Sequence, residues 1–270
     1  MDAPAMHLRV FGGFALEPRS GAPPPAPLPR RSEAILAVLA VCGAMGCSRE
    51  RLMAFLWPER AESKARHHLR DALYAIRRTL GQEAVVSVGD GLRLDPSAVH
   101  SDVQAFASAL NEGRLAEAVS LYRGPFLDGV HLTDTQEFDR WVEDERNRLA
   151  QERQQTVKSL AKKSEREERW DEAAEWWGQA VTGDRFNSRL VVRRMVALTR
   201  AGDRANAVME GEKHCLELRS ELELDPDPAL LEELRRIREG LSDPPQFFTP
   251  PPASWRLPTP PRPGARGPEG

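Results

Sequence analysis

The sequence has few cysteines and aromatic residues, and no long apolar run. Three cysteines in 270 residues, Cys42, Cys47 and Cys215, exclude a disulfide scaffold and point to a reducing compartment. The pair Cys42-x4-Cys47 has no second pair or neighbouring histidine to complete a zinc site, so no metal is expected. The longest apolar stretch, Ala34 to Cys47, is 14 residues and includes two glycines. That is short of the ~20 residues needed to span a bilayer, so no membrane partner is expected. Met1–Val10 shows no basic region followed by an apolar core, and the expectation is a cytoplasmic protein. There is no Gly-x-Ser-x-Gly, no His-Glu-x-x-His and no glycine-rich nucleotide loop. Neither catalysis nor a cofactor is expected.

What the chain does have is charge, unevenly placed. Residues 1–96 hold 13 Lys/Arg and 10 Asp/Glu, net +3, whereas residues 97–242 hold 22 and 29, net −7. A mildly basic front half and an acidic back half suggest two different partners. Hydrophobic residues are 40% and aromatics 6%, a composition that favours Ala/Leu-rich helices over a β-sandwich.

The order of elements is legible in the patterning. Residues 7–18 read as two short strands around Gly12-Gly13, and Ser20–Pro29, with five prolines, reads as a loop. Ser32 offers an N-cap to a helix carrying Ile35, Leu36, Leu39 and Ala40, broken by Gly43 to Gly46. Ser48 offers a second cap to a short helix that stops at Trp57-Pro58. A third helix spans Glu62 to Leu80 before Gly81, with Ala65, Leu69, Ala72, Leu73, Ile76 and Leu80 on one face. Val86 and Val88, the turn Gly89-Asp90-Gly91, then Leu92 and Leu94 spell a hairpin. Strands, three helices and a hairpin over residues 7–96 are the order of a winged helix-turn-helix. Such a unit places its third helix in the major groove of DNA and its wing on phosphates.

From Ser101 to residue 242 the pattern is helical. Arg114-Leu-Ala-Glu-Ala-Val119, Trp170-Asp-Glu-Ala-Ala174 and Arg204-Ala-Asn-Ala-Val208 resemble one another, and Ala173 and Ala207 lie 34 residues apart, the tetratricopeptide period. A long charged helix over about Thr133–Lys163 separates the first unit from the others, and a last helix is expected near Pro228–Leu241. Two adjacent tryptophans, Trp176 and Trp177, cannot both face inward on a helix, so one is expected at an edge or a partner surface. Residues 243–270 hold 10 prolines and read as a disordered tail. The expected fold class is therefore mainly α: a winged helix-turn-helix followed by an all-α tetratricopeptide-like repeat domain.

Several runs stand together in order: Leu8-Arg-Val-Phe-Gly-Gly-Phe14, Leu56-Trp-Pro58, Ala65-Arg-His-His-Leu-Arg-Asp-Ala-Leu-Tyr74 and Leu121-Tyr-Arg-Gly-Pro-Phe-Leu-Asp-Gly129. Trp141 with Glu145-Arg146, and Glu221-Leu-Glu-Leu-Asp-Pro226, complete the set. The chain resembles the bacterial transcriptional activator domain proteins, related to the antibiotic regulatory proteins of actinobacteria. The resemblance covers about residues 7–241. It implies an OmpR-type winged helix, a tetratricopeptide-like activator domain, sequence-specific binding of double-stranded DNA and regulation of transcription, often as a dimer on repeated sites. Many relatives continue into an ATPase module; no phosphate loop is present here.

The candidate DNA contacts are Ser63, Lys64 and His67 near the start of the third helix, and Arg70, Tyr74, Arg77 and Arg78 further along. Arg93 in the wing, with Arg49 and Arg51 at the start of the second helix, are candidates for phosphate contact. Asp71 on the same helix opposes a polyanion unless it pairs with a neighbour. The ordinary reading of such a face is a solvated charged helix, and the rival function is a protein-interaction adaptor whose winged helix no longer binds DNA. On the main reading the winged helix reads direct repeats, while the helical domain contacts RNA polymerase or a second copy of the chain.

Overall fold

In the computed structural model the described residues are 6–19, 23–132 and 135–240; the proline-rich stretch 243–270 lies outside them. Strands β1 (Met6–Arg9) and β2 (Ala15–Pro18) form the expected hairpin. Helix α1 (Arg30–Cys42) begins three residues earlier than the sequence suggests, with Pro29 rather than Ser32 at the cap position. Pro29 is extended at ψ 141°, and its carbonyl already accepts the N–H groups of Ser32 and Glu33. Ser32 is therefore not the cap. It lies inside the helix, buried, with its hydroxyl towards the Ala72 carbonyl. Ser48, by contrast, does cap α2 (Arg49–Leu56), its Oγ accepting the Arg51 N–H at 3.1 Å. Helix α3 (Glu62–Leu80) has the expected limits and buries Ala65, Leu69, Ala72, Leu73 and Ile76 on one side.

The wing is larger than a hairpin. Strands β4 (Val85–Val88) and β5 (Gly91–Leu94) pair antiparallel, and the two-residue strand β3 (Cys47–Ser48) adds to β5. Gly46, ahead of β3, sits at φ +68°, and a Cβ there would lie 2.6 Å from the Leu92 carbonyl oxygen, so only glycine lets the two backbones approach. The stretch between the two expected domains is no free linker. It carries β6 (Val99–Ser101), which runs parallel to β1 and completes a second sheet in the order β2-β1-β6.

Helices α4 (Asp102–Asn111), α5 (Leu115–Leu121), α6 (Gln136–Arg166), α7 (Trp170–Gly183), α8 (Ser188–Arg200), α9 (Arg204–Leu222) and α10 (Pro228–Glu239) follow. Successive helices pack on one another from α6 to α10. Ala118, Ala173 and Ala207, the small residues of the repeat pattern, are each 0% exposed. Gly211 does similar work on α9: a Cβ there would meet Leu234 at 2.7 Å and the Met195 sulfur at 2.9 Å. Trp177 faces inward and donates Nε1–H to Glu165 at 2.8 Å, while Trp176 stays at the edge, bonded to Glu172.

The apolar cores cross the expected boundary. One core runs from Leu8 through α1, Ile76 and Leu92 to Phe106, Phe126, Phe138 and Leu149. Two smaller ones follow, around Trp177 and around Met195. The half-buried carboxylate of Asp102, at the start of α4, accepts the N–H groups of Val10 and Phe11 at 3.0 and 2.9 Å, fastening the helical region to the end of β1.

His214 is buried on α9, its Nε2 3.0 Å from the Ser188 hydroxyl. Burial holds its pKa below the ordinary 6.5. The unfolded chain therefore takes up the proton first, so the contribution to stability is complete above pH 6.5 and is lost as pH falls through the lowered value. Comparing the unfolding midpoints of the native chain and His214→Gln at pH 7.5 and 5.5 should show the larger acid loss in the native chain. An equal loss in both removes His214 from the acid response.

Candidate nucleic-acid interface

Helix α3 is held from behind by α1, α2 and β4. Its apolar residues are consumed by that packing, and the side chains left on the other side are Ser63, Lys64, His67, Arg70, Tyr74 and Arg78, all exposed. Tyr74 is 67% exposed, far more than a tyrosine retained for packing. Two acids on this helix are answered locally. Glu62 pairs with Arg66 at 2.5 Å and Asp71 with the His67 imidazole at 3.3 Å, each one turn apart. Among the described residues, Lys64, Arg70 and Arg78 have no carboxylate partner within ion-pair distance. They form a row of cations along a helix of 19 residues.

Two of the sequence candidates are engaged by the protein. Arg77 turns to the wing, and its Nε and Nη2 donate to the Val85 carbonyl at 3.4 and 3.1 Å. The reason is local: α3 ends at Leu80 and the chain re-enters as β4 five residues later, within reach of a long side chain on the last turn. Arg49 reaches from the start of α2 to the wing turn, donating to the Asp90 carbonyl at 2.7 Å and to Ser87 Oγ at 2.9 Å. Both fix the wing relative to the helices. Arg51 is exposed on α2 with its guanidinium 5.3 Å from the Phe55 ring centre, and Arg93 is half-exposed on β5. The candidates therefore divide into a surface set, on α3, α2 and the wing, and a pair that sets the wing angle.

Sequence reasoning missed the backbone contacts that join this face to the helical region. Gly12, in the β1–β2 turn, donates its N–H to the Pro125 carbonyl at 2.9 Å, and Leu127 donates to the Val10 carbonyl at 2.8 Å. A Cβ on Gly124 would lie 2.9 Å from the Gly12 Cα, a contact that only glycine permits. Arg146 on α6 clamps the far side, with Nε on the Phe126 carbonyl and Nη2 on that of Leu127, both at 2.7 Å. Trp141 packs edge-on against Phe126 and reaches Phe55 of α2 at 5.9 Å between ring centres. Leu8–Phe14, Leu121–Gly129 and Trp141 with Arg146, far apart in the chain, are one latch. The signal was the presence of the three runs in one sequence, but nothing in their spacing tells which touches which.

No group of three or more His, Cys, Asp or Glu among the described residues is arranged to hold a metal ion, and no helix there is long and apolar enough to cross a membrane. The family model of the bacterial transcriptional activator domain matches residues 94–238. Among solved structures the chain is similar to Mycobacterium tuberculosis EmbR in complex with a low-affinity phosphopeptide, with a TM-score of 0.60 and 19% identity. The similarity covers 87% of this chain and 65% of that one, so the chain spans less than two thirds of that relative's length. At this identity the likeness is one of fold. No curated protein sequence matches the chain.

Proposed function

Because the chain belongs to the bacterial transcriptional activator domain family, we propose that it is a transcription regulator that binds double-stranded DNA in the cytoplasm, with α3 in the major groove. The observation that carries the reading is the outward row of Lys64, Arg70 and Arg78, flanked by the exposed Ser63, His67 and Tyr74, on a helix whose other face is fully packed. A helix fits that groove, and cationic and hydrogen-bonding side chains along it meet base edges and phosphates. Arg93 and Arg51 would add phosphate contacts from the wing and from α2. The latch and the shared core tie the winged helix to the first helices of the activator domain, so that a duplex bound on α3 would orient the repeats. The repeats would then meet RNA polymerase or a second copy on a neighbouring direct repeat.

A mobility shift of the full chain on genomic fragments, at two salt concentrations, tests this. Sequence-selective retention is expected, falling with salt by about 0.9 units of log K per log salt for each phosphate neutralised. No retention at either concentration overturns the reading in favour of an adaptor without DNA affinity.

A further inference from the structure

At the other end of the molecule, the C-terminal half of α6, the face of α8 and the start of α10 enclose an open groove of about 1140 Å³. Its lining carries five cations and two carboxylates, in a region of the chain whose overall charge is −7 over residues 97–242. Both carboxylates are already engaged. Glu165 accepts from Trp177 Nε1 at 2.8 Å and pairs with Arg193 at 3.0 Å. Asp227 caps α10 by accepting the Ala229 N–H at 2.8 Å. Lys162 and Arg166, one turn apart on α6, face Arg189 and Arg200 on α8, and among the described residues none of these four has a carboxylate partner. The Arg200 guanidinium lies 5.9 Å from the Trp170 ring centre and forms a shelf with it.

The floor is apolar. Val192 and Val196, half-buried, lie one turn apart on α8, between Arg189 and Arg200, and Ala229 closes the strip from α10, above the fully buried Leu230. Cations on both rims with an apolar strip between them fit an acidic segment whose large side chains recur every three or four residues. Nucleic acid fits less well. A long polyanion must run beyond the groove over a region whose net charge is −7, whereas a short segment is drawn by the local charge alone, since fields decay within ~8 Å at physiological salt. We propose that this groove is a docking site for an acidic, partly apolar peptide segment of a partner protein. It does not depend on DNA binding by α3, because the groove is built on the cores around Trp177 and Met195 and α3 on the first core.

Fluorescence anisotropy of the full chain with a labelled peptide repeating Asp-Glu-Leu-Asp-Glu-Phe tests the proposal. Saturable binding is expected, weakened at least tenfold by Lys162→Glu with Arg189→Glu, and equally weakened when the peptide's acids become Asn and Gln. Trp170→Phe, a milder change that keeps an aromatic ring at this half-buried position, should weaken binding severalfold and covers the case in which the double reversal does not fold. The same reversals should leave the mobility shift on genomic DNA unchanged. Absence of peptide binding up to about 1 mM, binding indifferent to both sets of variants, or a single-stranded oligonucleotide outcompeting the peptide in this groove would each overturn the proposal.

Discussion

Replacing Lys64, Arg70 and Arg78 together with alanine is expected to lower affinity for operator DNA about a hundredfold or more near physiological salt, with the fold intact. The three side chains are exposed and hold no carboxylate, so removing them costs the folded chain little, within about 0.5 kcal/mol each. On DNA each is worth about 1–3 kcal/mol if it meets a base edge, or about one unit of salt slope if it meets a phosphate. Three such losses exceed a factor of 100 even at the lower end. The partition between bases and phosphates shows in the comparison of cognate and random duplexes, since phosphate losses weaken both alike. Arg77→Ala should behave differently. It leaves the Val85 carbonyl without its partner and loosens the wing, so its effect on DNA affinity should come with a fall in thermal stability. A triple variant that footprints like the native chain ends the assignment of α3 as the reading helix.

Phe126→Ala is expected to destabilise the whole molecule by about 3–5 kcal/mol, the cost of an aromatic side chain removed from a closed core. Phe126 is 0% exposed and lies where the Gly12 turn, Trp141 and the Arg146 clamp meet. Arg146→Ala should cost about 2–3 kcal/mol, because two carbonyls that accept charged hydrogen bonds are left without them. The diagnostic feature is the breadth of the effect. Hydrogen exchange should accelerate in α3 as well as in α4 and α6, since one core joins them. Protection in α3 that survives while α4 and α6 lose theirs would refute the shared core.

The patterned parts of the molecule were legible before any coordinates. Helix α3 was placed at its observed limits because apolar residues recur at helical spacing between a proline turn and Gly81. The 34-residue repeat was legible because close-packed helices demand small residues at fixed places, and Ala173 and Ala207 are fully buried there. The outward cations of α3 follow from the same rule, since a face not used for packing is left to solvent. Strands β3 and β6 were not legible: they are two and three residues long, too short to show alternation, and exist because a partner strand is already in place.

The kinds of element, their order and the charged face of α3 follow from the order of residues, because those depend on periodicity and on neighbours within a turn or two. Tertiary structure alone decided that Arg77 and Arg49 hold the wing, that Asp102 and Arg146 fasten the two halves, and that four cations from α6 and α8 face one another across a groove. Each of these pairs a side chain with a backbone or a charge that its own periodicity does not name. Such contacts become fixed only when the chain closes on itself.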